Sequence, residues 1–325
     1  MIYFIANANA VSGGPELQHQ CCSVLKKFGY DSAIIYYEKL RFGVDPSEEV
    51  VNRYSRYNCT IVKKIIDDKS NSVVFAEGQW FFLPKFHNVR KVFWWLSVDN
   101  YFASFKLSYA KLYAPFGGKS KKYNPFAPGI MHCCQSEYAR QFLIEKGVDQ
   151  GSIFSLFDYL SSEFIDSAKS EVNVKKKDCV LYNPRKGFEF TQHIIEAAPE
   201  FSWVPLENMT HEKMVEVMSS SKVYIDFGNH PGKDRIPREA VMCGCVVITG
   251  KRGAAKNNVD IPIPHEYKFE DDISRVPEII KKIQECFDSY EVKRKDFDKY
   301  REIIIGEEDE FNSQVKNIGS ILTNG

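Results

Sequence analysis

Short apolar runs alternate with polar or helical stretches along most of the chain. In the first half, the apolar runs lie at 2–6, 32–37, 73–76, 92–96 and 130–134. In the second half, they lie at 179–182, 201–205, 223–227 and 246–249, with helical patterns at 188–198, 211–219 and 236–243 between them. Repeated strand–helix alternation predicts parallel β-sheets covered by helices on both faces. The sequence therefore predicts an α/β fold.

The chain is long enough for two such domains, since it has 325 residues and an average domain has roughly 100–200. Residues 1–155 carry 19 basic and 13 acidic side chains, whereas residues 156–325 carry 24 and 30. The opposite signs suit two domains with different ligands, although drift in surface composition explains them equally well. We predict a first domain at 1–158 and a second at 159–305. A C-terminal helix at about 306–323 is a candidate to pack back on the first domain.

Composition excludes several classes of protein. The 43 basic and 43 acidic residues balance, whereas a nucleic-acid-binding protein usually carries a basic excess, so we expect no nucleic-acid partner. The nine cysteines show no zinc or haem spacing, and an odd number without a disulfide framework fits a reducing compartment. The N-terminal apolar run is too short for a signal peptide, and no run is long enough for a transmembrane helix. We therefore expect a cytoplasmic protein.

Ligands of parallel sheets bind outside the carboxyl ends of the strands, so the loops that follow strands hold the candidate site residues. After the first strand, Gly13 and Gly14 open a helix whose free N–H groups suit an anion. A tight strand-to-helix turn explains these glycines as well. After the strand at 179–182, Arg185 and Lys186 open another helix. They suit a diphosphate, or they form a solvated charged turn.

The most informative stretch of the chain, at 224–240, leaves one apolar strand, crosses a loop rich in polar residues and enters the helix before the next strand. Packing explains so many polar residues poorly. A helix N-terminus with glycines and nearby cations favours an anion site, and a carboxylate one turn into the helix suits sugar hydroxyls. The candidate ligand-binding residues here are Gly228, His230, Gly232, Lys233, Asp234, Arg235 and Glu239.

Residues 185–187 are followed, after a strand and a loop, by residues 238–247. This sequence pattern resembles the one in the C-terminal half of GT-B glycosyltransferases, family 4 in particular. The resemblance follows nearly the whole chain in order, and its specific part is 224–250. It implies two Rossmann-like doubly wound domains that face a cleft. It also implies retaining transfer from a nucleotide-sugar donor, without a metal or another cofactor.

The resemblance implies roles for several of these residues. Lys186, together with Arg185, would neutralise the leaving diphosphate. Glu239 matches the second Glu of the family's E-x7-E motif and would hold the ribose hydroxyls. Gly13 and Gly14 stand at the place of the family's acceptor-side loop, and we count them with the donor-binding residues.

Two positions depart from the family pattern. The first Glu of the motif falls on Pro231, so its contact to the donor sugar is missing or moves to a neighbouring residue. The candidates for that contact are His230, Asp234 and Asp226. The family's Arg, five residues before the Lys, falls on Leu181.

Two carboxylates follow strands of the first domain, Glu77 after 73–76 and Asp99 after 92–96. A carboxylate that faces the acceptor hydroxyl would accept its proton as a general base. A helix cap explains Asp99 equally well. With Lys186, these two residues form the candidate catalytic set.

The segment 101–129 combines lysines and aromatic residues and has no Asp or Glu. Such a segment suits contact with an anionic membrane or a lipid-linked acceptor. A core-facing aromatic stripe with lysines on its solvent side is the alternative. The lysines are Lys106, Lys111, Lys119, Lys121 and Lys122.

We therefore expect a glycosyltransferase with a glycan or lipid-linked glycan as acceptor. The resemblance implies a role in bacterial surface polysaccharide synthesis, in the cytoplasm or at the inner face of the membrane. Two alternatives stay open. One is a nucleotide-sugar epimerase on the same fold, and the other is a non-catalytic protein that binds a nucleotide or a sugar.

Overall fold

A computed structural model describes residues 1–104, 124–171 and 174–324. The chain divides into two units. The first unit comprises Met1–Asp158 and Asp309–Gly325, and the second comprises Tyr159–Glu308.

A sheet of eight strands, counted over the described residues, forms the centre of the first unit. The strands are β1 (Ile2–Asn7), β2 (Ser32–Glu38), β3 (Arg41–Phe42), β4 (Thr60–Ile61), β5 (Ser72–Ala76), β6 (Arg90–Trp95), β7 (Ile130–Cys134) and β8 (Ile153–Ser155). They lie in the order β3-β2-β1-β5-β6-β7-β8, and β4 also pairs with β2. All pairs are parallel except β2–β3. The order reverses between β1 and β5, as in doubly wound sheets.

The central strands are apolar along their length because both faces of the sheet are covered. In β1, the five residues from Ile2 to Ala6 are all buried. In β6, Phe93 and Trp95 are fully buried and belong to one aromatic core with Phe75 and Phe82. Such continuous apolar runs are typical of strands buried on both sides.

The helices of the first unit, within the described ranges, are α1 (Gly13–Lys27), α2 (Glu48–Tyr54), α3 (Val98–Ser104) and α4 (Glu137–Glu145). A 3₁₀ segment, Glu77–Lys85, follows β5 directly. Ser136 caps α4, since its side chain accepts a hydrogen bond from the Ala139 N–H at 3.1 Å.

A smaller parallel sheet forms the centre of the second unit. Its strands are β9 (Lys177–Tyr182), β10 (Ser202–Pro205), β11 (Ser221–Asp226) and β12 (Val246–Thr249), in the order β10-β9-β11-β12. The helices are α5 (Ser162–Ser170), α6 (Phe188–Ala197), α7 (His211–Ser219), α8 (Arg235–Met242), α9 (Val276–Asp288) and α10 (Tyr290–Lys293). A long last helix, α11 (Asp298–Asn324), belongs to the second unit up to Glu308 and to the first from Asp309.

No helix within the described ranges is both long and apolar enough to cross a membrane. The predicted basic, aromatic segment at 101–129 falls mostly on residues 105–123, which lie outside the described residues. All five of the lysines named for it are among those.

Candidate functional site

Three loops meet at the carboxyl edge of the four-stranded sheet. They follow β9, β11 and β12 and comprise residues 183–187, 227–234 and 250–253. The Ala254 N–H donates a hydrogen bond to the His230 carbonyl at 2.8 Å, which joins the end of the third loop to the second. Because parallel strands end at the same edge, residues far apart in sequence come together here. Most of the residues predicted to bind a ligand lie in these loops.

Two glycines let the first and second loops touch. Gly187 has a φ of +62°, and a Cβ atom built on it would lie 2.2 Å from the Phe227 carbonyl oxygen. A Cβ atom on Gly228 would lie 2.6 Å from the Cβ of Lys186. Any side chain at either position would push the loops apart. Glycine at both positions therefore keeps Lys186 against the second loop.

Gly187→Ala is expected to lower the free energy of unfolding by about 2 kcal/mol or more, because the methyl group meets the Phe227 carbonyl at a strained, positive φ. Gly306→Ala is the control. Gly306 lies in α11, and a Cβ there meets no atom within 4 Å, so this change should stabilise the protein by up to about 1 kcal/mol. Urea unfolding measures both. Equal stability of Gly187→Ala and the parent protein would mean that the contact between the loops is not needed.

A chain of charged side chains runs through the second loop. Lys186 Nζ donates to Asp234 Oδ2 at 3.0 Å, and His230 Nδ1 lies 3.1 Å from the same oxygen. On the other side of the ring, His230 Nε2 lies 3.6 Å from Asp226 Oδ1. The His230 side chain has no exposed surface. The imidazole is therefore held between two carboxylates, and Lys186 is attached to one of them.

The ionisation of this chain follows from its geometry. Burial by itself lowers the pKa of His230, but the ion pairs with Asp234 and Asp226 outweigh burial and raise the pKa above its ordinary value. Burial by itself raises the pKa of Asp234, but His230 and Lys186 outweigh it and lower the pKa. The two carboxylates therefore favour the charged imidazolium form of His230 over the neutral ring.

This ionisation predicts a pH dependence of stability. Because folding raises the pKa of His230 above 6.5, its contribution is fully present below that value and is lost as the pH rises through the folded value. The difference in unfolding free energy between the parent protein and His230→Gln should therefore shrink as the pH rises above about 6.5. Urea titrations at a series of pH values measure this difference. A difference that does not change with pH would contradict the imidazolium.

Asp226, His230 and Asp234 are also a candidate group of metal ligands, with one ligand atom of each within 4.8 Å of the others. The two carboxylates, however, face different nitrogens of the imidazole. A neutral imidazole has one lone pair, so a cation bound to that nitrogen lies beside only one carboxylate. The observed orientation suits a protonated histidine better than a three-ligand cation site.

Helix α8 begins directly after this charged chain. Its N-cap residue is Asp234, whose side chain makes no capping hydrogen bond and pairs with Lys186 and His230 instead. The start of a helix carries partial positive charge, and Lys186 adds a full charge beside it. Arg235 and Glu239 are half-buried on the first turns of α8. The start of α8 thus places features that suit an anion next to a carboxylate one turn further along the helix.

A buried ion cluster connects α8 to α11. Arg238 has no exposed surface, and its Nη1 donates to Glu307 Oε2 at 2.7 Å. The other oxygen of Glu307 lies 2.6 Å from Lys233 Nζ. Arg238 also donates to the carbonyls of Asp234 at 3.3 Å and Lys233 at 3.2 Å. The cluster therefore fixes the end of the second loop to helix α11.

Lys233, which the sequence predicts to bind a ligand, is part of this ion cluster. The structure gives its ammonium a carboxylate partner, and only 10% of its side chain is exposed. Sequence reasoning missed Glu307 altogether. No local pattern marks Glu307, because it lies 69 residues from Arg238.

The other predicted residues of this edge differ in exposure. Arg185 is exposed, and Lys186 keeps 39% of its side chain exposed. Gly228 and Gly232 belong to the second loop, and both are buried. Lys186 is therefore both fixed by Asp234 and open to a ligand.

The carboxyl edge of the first unit's sheet brings other predicted residues together. Glu77 Oε2 accepts a hydrogen bond from the Leu96 N–H at 3.2 Å, and Oε1 accepts one from the Asn100 side chain at 3.4 Å. A Cβ atom on Gly14 would lie 3.4 Å from Leu96. Burial raises the pKa of Glu77 to about 7, although these donors oppose the shift. Glu77 therefore holds the segment 96–100, which leads from β6 into α3, next to the start of α1.

Asp99 lies half-buried in the first turn of α3, within the segment 96–100 that Glu77 holds. Gly13 is the first residue of α1, and a Cβ atom on it would meet no atom within 4 Å. Gly13, Gly14, Glu77 and Asp99 all belong to the first unit, whereas the other predicted site residues belong to the second.

A second polar cluster beside Gly13 and Gly14 was not predicted. Glu16 in α1 is buried and accepts hydrogen bonds from the Tyr57 hydroxyl at 2.9 Å and from Arg53 and Arg56. Its partners lie 37–41 residues along the chain, so no sequence motif links them. The cluster fixes the N-terminus of α1 to the segment after α2.

The sequence matches no protein-family model and no curated protein. Solved structures match it over its whole length. A glycosyltransferase from Rickettsia africae has a TM-score of 0.66 at 15% identity, over 99% of this chain and 98% of that chain. Anabaena HepE in complex with UDP-glucose has 0.53 at 10% identity, over 99% and 97%. WaaG, a glycosyltransferase involved in lipopolysaccharide biosynthesis, has 0.58 at 10% identity, over 100% of both chains.

The chain has the GT-B fold. The GT-B fold confirms the α/β class predicted from strand–helix alternation and the two Rossmann-like domains implied by the resemblance. Its second Rossmann-like domain contains the specific part of the resemblance, at 224–250, which the structure places at the carboxyl edge of the four-stranded sheet.

Proposed function

We propose that the protein is a glycosyltransferase that moves a sugar from a nucleotide-sugar donor to a glycan or lipid-linked glycan. The arrangement at the carboxyl edge of the second unit carries this proposal. Lys186, the start of α8 and Glu239 follow one another there, on a fold shared with glycosyltransferases. A cation beside a helix N-terminus suits a diphosphate, and a carboxylate suits sugar hydroxyls.

The solved structures support a class of donor and a pathway. HepE was solved with UDP-glucose, so a UDP-sugar is the donor class that we propose. WaaG is involved in lipopolysaccharide biosynthesis, which supports a role in bacterial surface polysaccharide synthesis. A cytoplasmic location, with peripheral contact to an anionic membrane through 101–129, belongs to the same proposal.

In the proposed reaction, the bond between the anomeric carbon and the diphosphate oxygen breaks, and negative charge collects on the diphosphate. Lys186 and the N–H groups at the start of α8 stabilise that charge, which is the main contribution of the protein to the rate. When Lys186 turns to the diphosphate, His230 still balances the charge of Asp234 at 3.1 Å. The positive charge comes from the protein itself, and we therefore propose that the transfer needs no metal.

The acceptor oxygen then forms the new bond to the anomeric carbon on the face that the diphosphate leaves, with retention, and gives up its proton. We propose Asp99 as the group that accepts this proton, because it is half-buried at a strand end and remains accessible. Glu77 acts with it by holding the segment 96–100 through Leu96 and Asn100.

Glu239→Gln is expected to weaken binding of the nucleotide sugar while inhibition by inorganic pyrophosphate stays nearly unchanged, because the carboxylate serves the ribose hydroxyls. An amide of the same shape keeps the packing but loses the charged acceptor, a loss of about 1.5–3 kcal/mol for a charged hydrogen bond. Calorimetry with the nucleotide sugar and inhibition kinetics with pyrophosphate measure the two effects. Equal losses for both ligands would show that Glu239 supports the loop instead of the ribose.

One experiment tests the proposed function as a whole. The purified protein is screened for nucleotide sugars that raise its melting temperature, since a ligand of the native state at a hundredfold excess over Kd stabilises it by about 2.7 kcal/mol. The nucleotide sugars that stabilise it are then incubated with glycan acceptors, with and without EDTA. A glycan product in both cases supports the proposal. Free epimer without an acceptor indicates an epimerase, and binding without turnover indicates a non-catalytic protein.

A further inference from the structure

A cavity lies at the opposite, amino edge of the four-stranded sheet. Its volume is about 850 Å³, which is within the range of small-molecule sites. β11 has six residues, so at about 3.3 Å per residue roughly 20 Å separates this edge from the loops of the candidate donor site. It is lined by residues just before β9 and β12, by Lys222 near the start of β11 and by residues after α9, among them Lys176, Gly244, Ser289, Tyr290 and Arg294.

Positive charge is concentrated in this cavity. The described residues that line it include six basic and two acidic side chains, although residues 156–325 as a whole have six more acidic than basic residues. Two of the basic residues have carboxylate partners outside the lining, Lys222 with Asp178 and Arg301 with Asp298. Basic residues still outnumber acidic ones when these two partners are included. A concave surface of one sign focuses the field on a ligand of opposite sign.

The floor of the cavity is built before any ligand arrives. Lys176 Nζ donates to three carbonyls, those of Met218 and Ser221 at 3.0 Å and that of Cys243 at 2.7 Å. The Tyr290 hydroxyl donates to the Gly244 carbonyl at 2.8 Å. These bonds fix a half-buried positive charge and a buried aromatic ring in place. A site that is already ordered loses less entropy when it binds.

Two other basic residues of the cavity keep exposed side-chain surface, and one of them, Arg294, also lies 3.6 Å from Glu291. Lys175 is exposed, and 31% of the Arg294 side chain is exposed. Arg294 lies 5.8 Å from the centre of the Tyr290 ring, and Lys222 lies 5.7 Å from it. Both cations therefore lie next to the same aromatic ring of the cavity wall. Multiple cations around one concave wall match the closely spaced charges of phosphate groups.

We propose that this cavity is a second ligand site, for a small molecule that carries two or more phosphate groups. Lys175 and Arg294 contact the phosphates, and Lys176 supplies fixed positive charge from the floor. The site is separate from the carboxyl-edge loops, and its ligand does not compete with the donor.

Calorimetric titration with inorganic pyrophosphate tests this site. The titration is made in the Lys186→Ala background, so that binding at the carboxyl edge is weakened, and at low salt, where charge attraction is least screened. The double variant Lys175→Glu with Arg294→Glu is expected to weaken pyrophosphate binding at least tenfold. Lys175→Ala alone, a change at an exposed position, should weaken it in the same direction and serves if the double variant does not fold.

The matched control is Arg275→Glu with Lys281→Glu. Both residues are exposed and lie outside the cavity lining. Their substitution by glutamate changes the net charge of the same unit by the same amount. Arg275 also has a glutamate partner three residues away, as Arg294 does. The control should change the affinity less than threefold. Equal losses in the two double variants would show attraction by net charge alone and overturn the proposal, as would the absence of pyrophosphate binding in the Lys186→Ala background.

Discussion

Glu307→Gln is expected to lower the free energy of unfolding by about 3–5 kcal/mol, the cost of removing one partner of a buried ion pair. Arg238 has no exposed surface, and its Nη1 contacts Glu307 at 2.7 Å. Lys233 loses the same partner, but 10% of its side chain is exposed, so its ammonium turns to water at a smaller cost. Most of the loss therefore arises at Arg238. Urea unfolding measures it.

Glu302→Gln is the control, since Glu302 lies on the same helix and is exposed. Its effect should stay within about 0.5 kcal/mol. The double change Arg238→Met with Glu307→Met should recover most of the loss, because it removes the fully buried charge of Arg238 together with its partner and leaves only Lys233, whose ammonium reaches water. If Glu307→Gln proves as stable as Glu302→Gln, the ion cluster does not hold the start of α8.

The fold could be predicted from the sequence because the central strands are buried on both faces. Each such strand needs a continuous apolar run, and each run is visible without a partner. The runs at 2–6 and 246–249 are β1 and β12, and every residue of β12 is buried. Elements that do not need a continuous apolar run could not be recognised in the sequence. The strands β3 and β4 have two residues each, and α2 has seven.

The candidate site could be predicted only in part, for a related reason. The sequence shows which polar residues follow a strand, and parallel strands bring those residues to one edge. That argument places Lys186, His230 and Asp234 at the same edge of the sheet. It says nothing about which charges pair, because a pair depends on side chains that meet after folding. Glu307 with Lys233 and Glu16 with Arg56 are such pairs.

The largest expected effect on activity belongs to Lys186. Under the proposed function, Lys186→Ala should lower kcat by about 10²–10³-fold, the loss typical of removing one group that stabilises charge in a transition state. Lys186 suits this role because Asp234 orients its ammonium at 3.0 Å while 39% of the side chain stays exposed. Steady-state kinetics with a nucleotide sugar measures the loss. Lys281→Ala, at an exposed lysine of the same unit, should leave kcat unchanged.

Binding separates a role on the diphosphate from a role in holding the loop. Lys186→Ala should weaken the binding of a nucleoside diphosphate by about 1–3 kcal/mol. The affinity for the nucleoside should stay unchanged, because only the diphosphate contacts the ammonium. The melting temperature should change little, since His230 keeps Asp234 paired at 3.1 Å in the variant. A lower melting temperature with equal losses for both ligands would mean that Lys186 serves the loop through Asp234, and the leaving group would then need another cation.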